Sequence, residues 1–177
     1  QPGGGGVNLR SQLQFLKNVF DELDFIKMKP NNSLIRSKFE GNTTARILAN
    51  NGEQYLLYIN NSIKGEINYS LRYSGTISVP VSGKYWFYSV SDDGVKLSID
   101  NKLVINNWTD HASTTDSVAI DLKANTKYNF KLEYYQGAGG ATLDLKWFAP
   151  DKPKEKQQIT SFISTDGKTP GLLVEKF

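Results

Sequence analysis

Apolar side chains recur at every second position through most of the segment between residues 76 and 147, and short turns interrupt the alternation. Ile77, Val79 and Val81 form one such series, and Tyr85 and Phe87 begin the next after a Ser-Gly turn. The same pattern returns in "VKLSI", "SVAIDL", "KYNFKLEYY" and "ATLDLKW". A period of two is typical of half-buried strands, and short strands separated by turn residues predict an antiparallel sandwich or barrel.

Turn chemistry supports this assignment at two places. Asn50, Asn51 and Gly52 separate two strand-like runs, and Asp100-Asn101 lies between "VKLSI" and "KLVIN". Asn, Asp and Gly tolerate the left-handed backbone that two-residue hairpin turns require. We therefore predict two hairpins here. The segment "DKPKEKQQ" is expected to be solvated.

Alternation also makes predictions about individual aromatic residues. Trp86 and Trp147 are predicted to pack in the interior. Tyr134 and Tyr135 are adjacent in one strand, so one of them is expected in the core and the other exposed.

The N-terminal residues follow a different period. Leu9, Leu13, Leu16, Phe20 and Leu23 are spaced four, three, four and three residues apart, which predicts one amphipathic helix that packs on a larger body. We divide the chain into a glycine-rich lead with this helix (1–45), a β-sandwich (46–163) and a C-terminal strand (164–177). That strand is expected to complete its own sheet or a neighbour's, or to begin a further domain.

Composition excludes several classes of function. There is no cysteine, which excludes disulfides and thiolate metal sites, and a single histidine, His111, excludes a multi-histidine metal cage. The net charge of +3 is spread along the chain without a basic run, so we expect no nucleic-acid partner. No stretch of about 18 apolar residues is present, so no membrane insertion is expected. We predict no catalytic residue.

Asp92 and Asp93 stand side by side before Gly94, where one alternating run ends and the next begins. Two adjacent carboxylates repel each other unless a cation lies between them. They therefore indicate either a cation site or a turn, in which Asp92 caps the turn and Asp93 accepts hydrogen bonds from backbone amides.

Ordered motifs from about Leu71 to Phe162 resemble the PA14 (PA-fourteen) domain family. The motifs are "LRYSGTISVPVSGKYWF", with Tyr73 where Trp is usual, then "SDDGVKLSIDNKLVINNW", "LKANTKYNFKLEYYQGAGGATLDLKW" and "QQITSFI". The resemblance implies a β-sandwich of a family that occurs in glycosidases, adhesins, flocculins and toxins. Many members bind carbohydrate.

In lectin-like members of that family, a cis peptide joins the two aspartates, which hold a calcium ion that binds sugar hydroxyls. The resemblance therefore implies calcium as a cofactor, with Asp92, Asp93, Gln136, Gly137 and Gly139 as the metal ligands. The loop "YYQGAGGATL" has no carboxylate or asparagine, although flocculin-type lectins place one there. Hard oxygen ligands are what calcium prefers.

The implied carbohydrate-binding residues are Asp92, Asp93, Trp108, Asp110, His111 and Gln136. Sugar sites combine polar groups for hydroxyls with aromatic faces for the pyranose ring. For Trp108 a second interpretation, packing between the sheets, stays open.

The functional hypothesis is thus a non-catalytic, calcium-dependent carbohydrate-binding module of a secreted or cell-surface bacterial protein that is polysaccharide-active or adhesive, such as a glycoside hydrolase. Its partner would be a polysaccharide or other glycan. The alternative is a structural module that self-associates by exchange of its terminal strand, without a bound ion.

Overall fold

A computed structural model describes the backbone of residues 46–48, 54–56 and 60–61, together with residues 67–168 and 170–176. The predicted N-terminal helix lies outside these residues. Within them, thirteen strands form two antiparallel sheets. The strands are β1 (Arg46–Leu48), β2 (Gln54–Leu56), β3 (Asn60–Asn61), β4 (Tyr69–Ile77), β5 (Gly83–Asp92), β6 (Val95–Ile99), β7 (Lys102–Asn107), β8 (Thr114–Leu122), β9 (Tyr128–Gln136), β10 (Thr142–Ala149), β11 (Lys152–Gln158), β12 (Phe162–Ser164) and β13 (Leu172–Lys176).

The larger sheet has the order β1-β2-β13-β4-β9-β6-β7, and β12 pairs with β4 beyond the end of β13. The smaller sheet has the order β11-β10-β5-β8, and β3 also pairs with β10. All strand pairs within both sheets are antiparallel, as the short alternating runs predicted. No helix among the described residues is long and apolar enough to cross a membrane.

The core lies between the inner faces of the two sheets. Tyr73 and Leu132 come from the larger sheet, and Tyr85 and Phe87 come from the smaller one; all four are almost fully buried. Trp147 of β10 packs against the rings of Tyr85 and Phe87, at centroid distances of 4.6 and 5.5 Å. The predicted β class and the packing of Trp147 are confirmed.

Both predicted hairpins are present in the strand pairing. β1 pairs with β2, and β6 pairs with β7. Asp100 and Asn101 have φ angles of 53° and 66°, the left-handed conformation that this turn requires. The segment "DKPKEKQQ" is largely exposed, as expected, but it forms the edge strand β11.

Two predictions for aromatic residues are wrong. Trp86 is 44% exposed, because it lies on the outer face of the smaller sheet while Tyr85 and Phe87 point inward. Tyr134 and Tyr135 are both buried, although they point to opposite faces of β9. Tyr135 is covered because its ring lies over Gly94, where a Cβ would overlap with it, and the Trp108 ring packs edge-on at 4.7 Å.

The C-terminal strand β13 lies inside the larger sheet. It pairs with β4 from Leu173 to Lys176 and with β2 at Leu172 and Leu173. Within the described chain, this strand is therefore a central element of the sheet. The division at residues 45 and 163 stays a prediction.

Candidate functional site

Asp92 and Asp93 lie at one end of the sandwich, where β5 ends and the chain crosses to β6 in the other sheet. The peptide bond between them is cis, as the family resemblance implied. Asp93 is 7% exposed, and Asp92 is only partly buried. Asp92 therefore has the more accessible carboxylate of the pair.

Asp93 joins three segments of the chain. Its Oδ1 accepts a hydrogen bond from the backbone N–H of His111 at 3.1 Å, and its Oδ2 accepts one from Gly137 at 2.8 Å. These donors lie in the segment after β7 and in the loop after β9. Asp93 thus accepts bonds from backbone amides, as one interpretation of the sequence required. These two bonds use part of the acceptor capacity of an ionised carboxylate, which has about four lone-pair sites.

The electrostatics of the two carboxylates favour a cation or a proton beside them. Burial raises the pKa of the Asp92 carboxyl, and both the charge of Asp93 and a hydrogen bond with it raise this pKa further, while His111 lowers it. A raised carboxyl pKa means that the second negative charge is unfavourable here without a cation or a proton. The backbone carbonyl of Asp92 accepts a hydrogen bond from the Tyr134 hydroxyl, which anchors the turn to β9.

The loop after β9 lies against both carboxylates. A Cβ placed on Gly137 would lie 3.4 Å from Asp93 Oδ2, and one on Gly140 would lie 3.6 Å from Asp92 Oδ2. Gln136 is fully buried, and its Nε2 donates to the carbonyl of Gly139 at 2.9 Å. Its Oε1 is buried and has no hydrogen-bond partner in the described structure.

Two of the expected carbonyl ligands are already hydrogen-bonded. The Gly139 carbonyl accepts from Gln136, and the Gly137 carbonyl accepts from the backbone N–H of Asn68 at 2.8 Å. Each carbonyl oxygen keeps a second lone pair. Of the uncharged groups that the sequence suggested, the Gln136 side chain therefore offers the oxygen with the most unused acceptor capacity.

The segment after β7 forms another wall of this end of the sandwich. The Tyr135 hydroxyl donates to Asp110 Oδ1 at 2.6 Å, and that oxygen lies 4.0 Å from the Cβ position of Gly137. Asp110 is exposed, so its carboxylate is held at the rim while facing solvent. Trp108 is partly buried, and the Lys96 Nζ lies 4.5 Å from its ring centroid.

His111 enters the site through its backbone. Besides donating its N–H to Asp93, it places its Nδ1 2.7 Å from the carbonyl of Ala112. Its Nε2 is buried and has no hydrogen-bond partner in the described structure.

The structure thus brings the six predicted carbohydrate-binding residues and both glycines to one end of the sandwich. Sequence reasoning missed three further contributors. Tyr134 and Tyr135 hold the Asp92 carbonyl and the Asp110 carboxylate, and Gly94 makes room for the Tyr135 ring. The sequence does contain a signal for these contributors, namely two adjacent tyrosines and a distant glycine. That signal can be interpreted only when the β6–β9 pairing, which places Gly94 against Tyr135, is known.

Together, these features define a β-sandwich domain whose rim presents paired carboxylates and a glycine-rich loop. The chain belongs to the PA14 domain family, whose model matches residues 36–161.

Bacterial relatives carry a similar segment. The chain is 37% identical over 106 residues to anti-sigma-I factor RsgI3 of Acetivibrio thermocellus. The aligned segment covers 60% of this chain and 16% of that protein. Two solved structures resemble it with a TM-score of 0.58 each. One is an anti-sigma factor domain-containing protein with 32% identity, covering 66% of this chain and 44% of the other. The second is an anti-sigma factor domain-containing protein from Clostridium clariflavum with 27% identity, and the match covers 67% of this chain and 43% of the other. The chain therefore spans less than half the length of these relatives.

Proposed function

We propose that this domain is a non-catalytic carbohydrate-binding module whose rim site works with calcium. One observation carries the proposal: Asp92 and Asp93 present two carboxylates beside a glycine-rich loop, and Gln136, which is bonded to that loop through Nε2, has a buried Oε1 without a partner in the described structure. Burying two like charges together is unfavourable, and a cation removes that cost.

The residues present fit calcium by ligand type. Calcium prefers six to eight hard oxygen ligands, and Asp92, Asp93 and Gln136 supply carboxylate and amide oxygens. Among the described residues, no group of three or more His, Asp or Glu side chains is close enough together to hold a metal ion. The charged ligands would thus be two, and affinity is expected to be modest. Bound calcium would supply open coordination positions for sugar hydroxyls.

The walls of the site suit a sugar as well. Asp110 and the partly buried Trp108 lie on the same rim and offer a hydrogen-bond acceptor and an aromatic surface. Both are held by Tyr135, so this wall is preorganised, which reduces the entropy cost of binding.

The relatives favour a particular kind of host protein. Their names describe anti-sigma factors rather than glycosidases or adhesins. We therefore propose that the module is one part of a longer protein, secreted or exposed at the cell surface, in which glycan binding is the input to control of a sigma factor.

Titration calorimetry with calcium chloride tests the ion. The chain is expected to bind calcium, and Asp92→Asn is expected to weaken binding at least about tenfold, because it removes a charged ligand. Asp92 is substituted rather than Asp93 because the Asp93 carboxylate also accepts hydrogen bonds from two backbone amides, so its loss would disturb the loops as well as the ion site. The control is Asp121→Asn, which changes the net charge equally on the exposed face of β8.

A glycan array read in calcium and then in EDTA tests the ligand. Binding that requires calcium and is lost in Asp92→Asn supports the proposal. If calcium gives no heat and no glycan is retained, the domain is not a calcium-dependent lectin.

A further inference from the structure

We propose a second carbohydrate-binding surface on the outer face of the smaller sheet, which takes a neutral polysaccharide chain and needs no calcium. This aromatic face consists of Trp86 and Tyr88 of β5 and Phe148 of β10, with Pro150 and Pro153 at its border. It shares only the ligand class with the function proposed for the rim.

Strand pairing places the three rings together. Phe148 is directly opposite Trp86 in the β5–β10 register, and Tyr88 is two residues from Trp86 on the same face of β5. The Tyr88 and Phe148 rings meet edge-on at 5.3 Å, with an interplanar angle of 87°. Trp86 is 44% exposed, so its indole ring is accessible to solvent beside the other two rings.

The neighbouring strand leaves this face open. Ala119 of β8 is opposite Trp86, and Ser117 is opposite Tyr88. Both side chains are short, so nothing from β8 rises over the rings. The Trp86 ring, the most exposed of the three, suits the C–H face of a pyranose ring, which stacks on an aromatic ring.

The polar groups around the rings fit hydroxyls rather than a charged ligand. Lys146 pairs with Asp144 at 3.4 Å, and the Lys156 Nζ lies 4.5 Å from the Tyr88 ring centroid. Asp144 Oδ1 and Gln158 Oε1 are buried acceptors without a partner in the described structure. Gln158 is opposite Lys146, so both lie on this face. Lys146 pairs with Asp144, and the Lys156 ammonium lies over the Tyr88 and Phe148 rings. Both cations therefore already have partners, which favours a neutral sugar chain.

The shape of the surface favours a polymer over a single sugar. Trp86, Tyr88, Val90 and Asp92 alternate with the inward residues of β5, so they form one row on its outer side. At about 3.3 Å per residue, this row runs about 20 Å from Trp86 to the rim. A polysaccharide lying along β5 would therefore contact the aromatic face and reach toward Asp92.

Affinity electrophoresis in EDTA tests this surface without the rim ion. The intact chain is run through native gels that contain hydroxyethylcellulose, mixed-linkage β-glucan, xylan, galactomannan or polygalacturonate. We expect retardation in at least one neutral gel, and an apparent Kd at least about tenfold weaker for Trp86→Ala. Leu103→Ala, which removes another exposed apolar side chain on β7, is the matched control and should bind like the unaltered chain.

A second variant separates loss of binding from loss of fold. Ala119→Gln keeps every ring and places a longer side chain beside Trp86, and it too should weaken retardation while the thermal midpoint stays within a few degrees. Retardation that persists in EDTA distinguishes this surface from the rim site, which is proposed to require calcium.

Three results would overturn the inference. They are no retardation in any neutral gel, retardation by polygalacturonate alone, and equal retardation of Trp86→Ala and the control. A dimer that Trp86→Ala dissociates, seen by light scattering together with no retardation, would instead assign the face to a second copy of the chain.

Discussion

At the scale of single residues, Asp93 performs one of the two roles that the sequence presented as alternatives and leaves room for the other. It accepts hydrogen bonds from the amides of His111 and Gly137, and it still has acceptor capacity for a cation. A turn-stabilising carboxylate and a metal-binding carboxylate are therefore compatible in one side chain. The hydrogen bonds would hold the carboxylate in place before any ion binds, so less ordering would be required on binding.

Gly94 is expected to be intolerant of a side chain. A Cβ there would overlap with the Tyr135 ring, so Gly94→Ala must displace a buried tyrosine that holds Asp110. We expect a loss of about 1–3 kcal/mol in the free energy of unfolding, measured by urea denaturation. Gly140→Ala is the control, since its Cβ would meet nothing closer than 3.6 Å. Equal stability of the two variants would contradict the packing described here.

Tyr134 is expected to make the fold sensitive to alkali. Burial, and then the neighbouring Tyr69, Asp92 and Asp93, raise the pKa of Tyr134 far above its ordinary value of 10.0. The stabilisation linked to its proton is fully present below about pH 10, the unfolded pKa, and declines as the pH rises above it.

Denaturation curves between pH 8 and 11 measure this linkage. Stability should fall with rising pH above about 10, and the fall should be smaller in Tyr134→Phe, which has no proton to lose. Burial and Asp151 also raise the pKa of Tyr85, so part of the slope should remain. Tyr128→Phe serves as the control. An unchanged slope in Tyr134→Phe would show that this tyrosine does not carry the effect.

At the scale of elements, the hairpins followed local chemistry, whereas the terminal strand required the whole sheet. Asp100-Asn101 determines the β6–β7 hairpin by its own backbone preference. The place of β13 between β2 and β4 depends on partners about 100 residues earlier in the chain. The sequence predicted a C-terminal strand within residues 164–177, but it did not predict which strands pair with it.

The central position of β13 makes it essential for stability. Leu172 is fully buried, so Leu172→Ala should lower the free energy of unfolding by about 2–5 kcal/mol, as for other buried leucines. Removing residues 169–177 should prevent cooperative unfolding, as followed by circular dichroism, because β4 and β2 lose their shared partner. Leu103→Ala, at an exposed position, should change stability by less than about 0.5 kcal/mol. A truncated chain as stable as the full one would show that β13 is dispensable.

At the scale of the whole molecule, the candidate site is assembled from three distant segments. The end of β5, the segment after β7 and the loop after β9 meet at one rim because β6 pairs with β9 in one sheet and β5 pairs with β10 in the other. The family resemblance predicted which residues gather there. Which amides bond to Asp93, and the hydrogen bond from Tyr135 to Asp110, could not be predicted, because they depend on loop conformations.

The sequence by itself determined the β class, most strand positions and the tight turn at Asp100-Asn101. It also indicated the paired aspartates as the centre of the candidate site. Each of these depends on local periodicity or residue chemistry. Only the tertiary structure decided which face of each strand is covered. The alternating pattern predicts that Trp86 and Phe87 point to opposite faces of β5, but the packing of the second sheet determines that Phe87 is the buried residue. The tertiary structure likewise buries both Tyr134 and Tyr135. Gly94 and Trp108 cover the side of β9 that the alternating pattern predicts to be exposed to solvent.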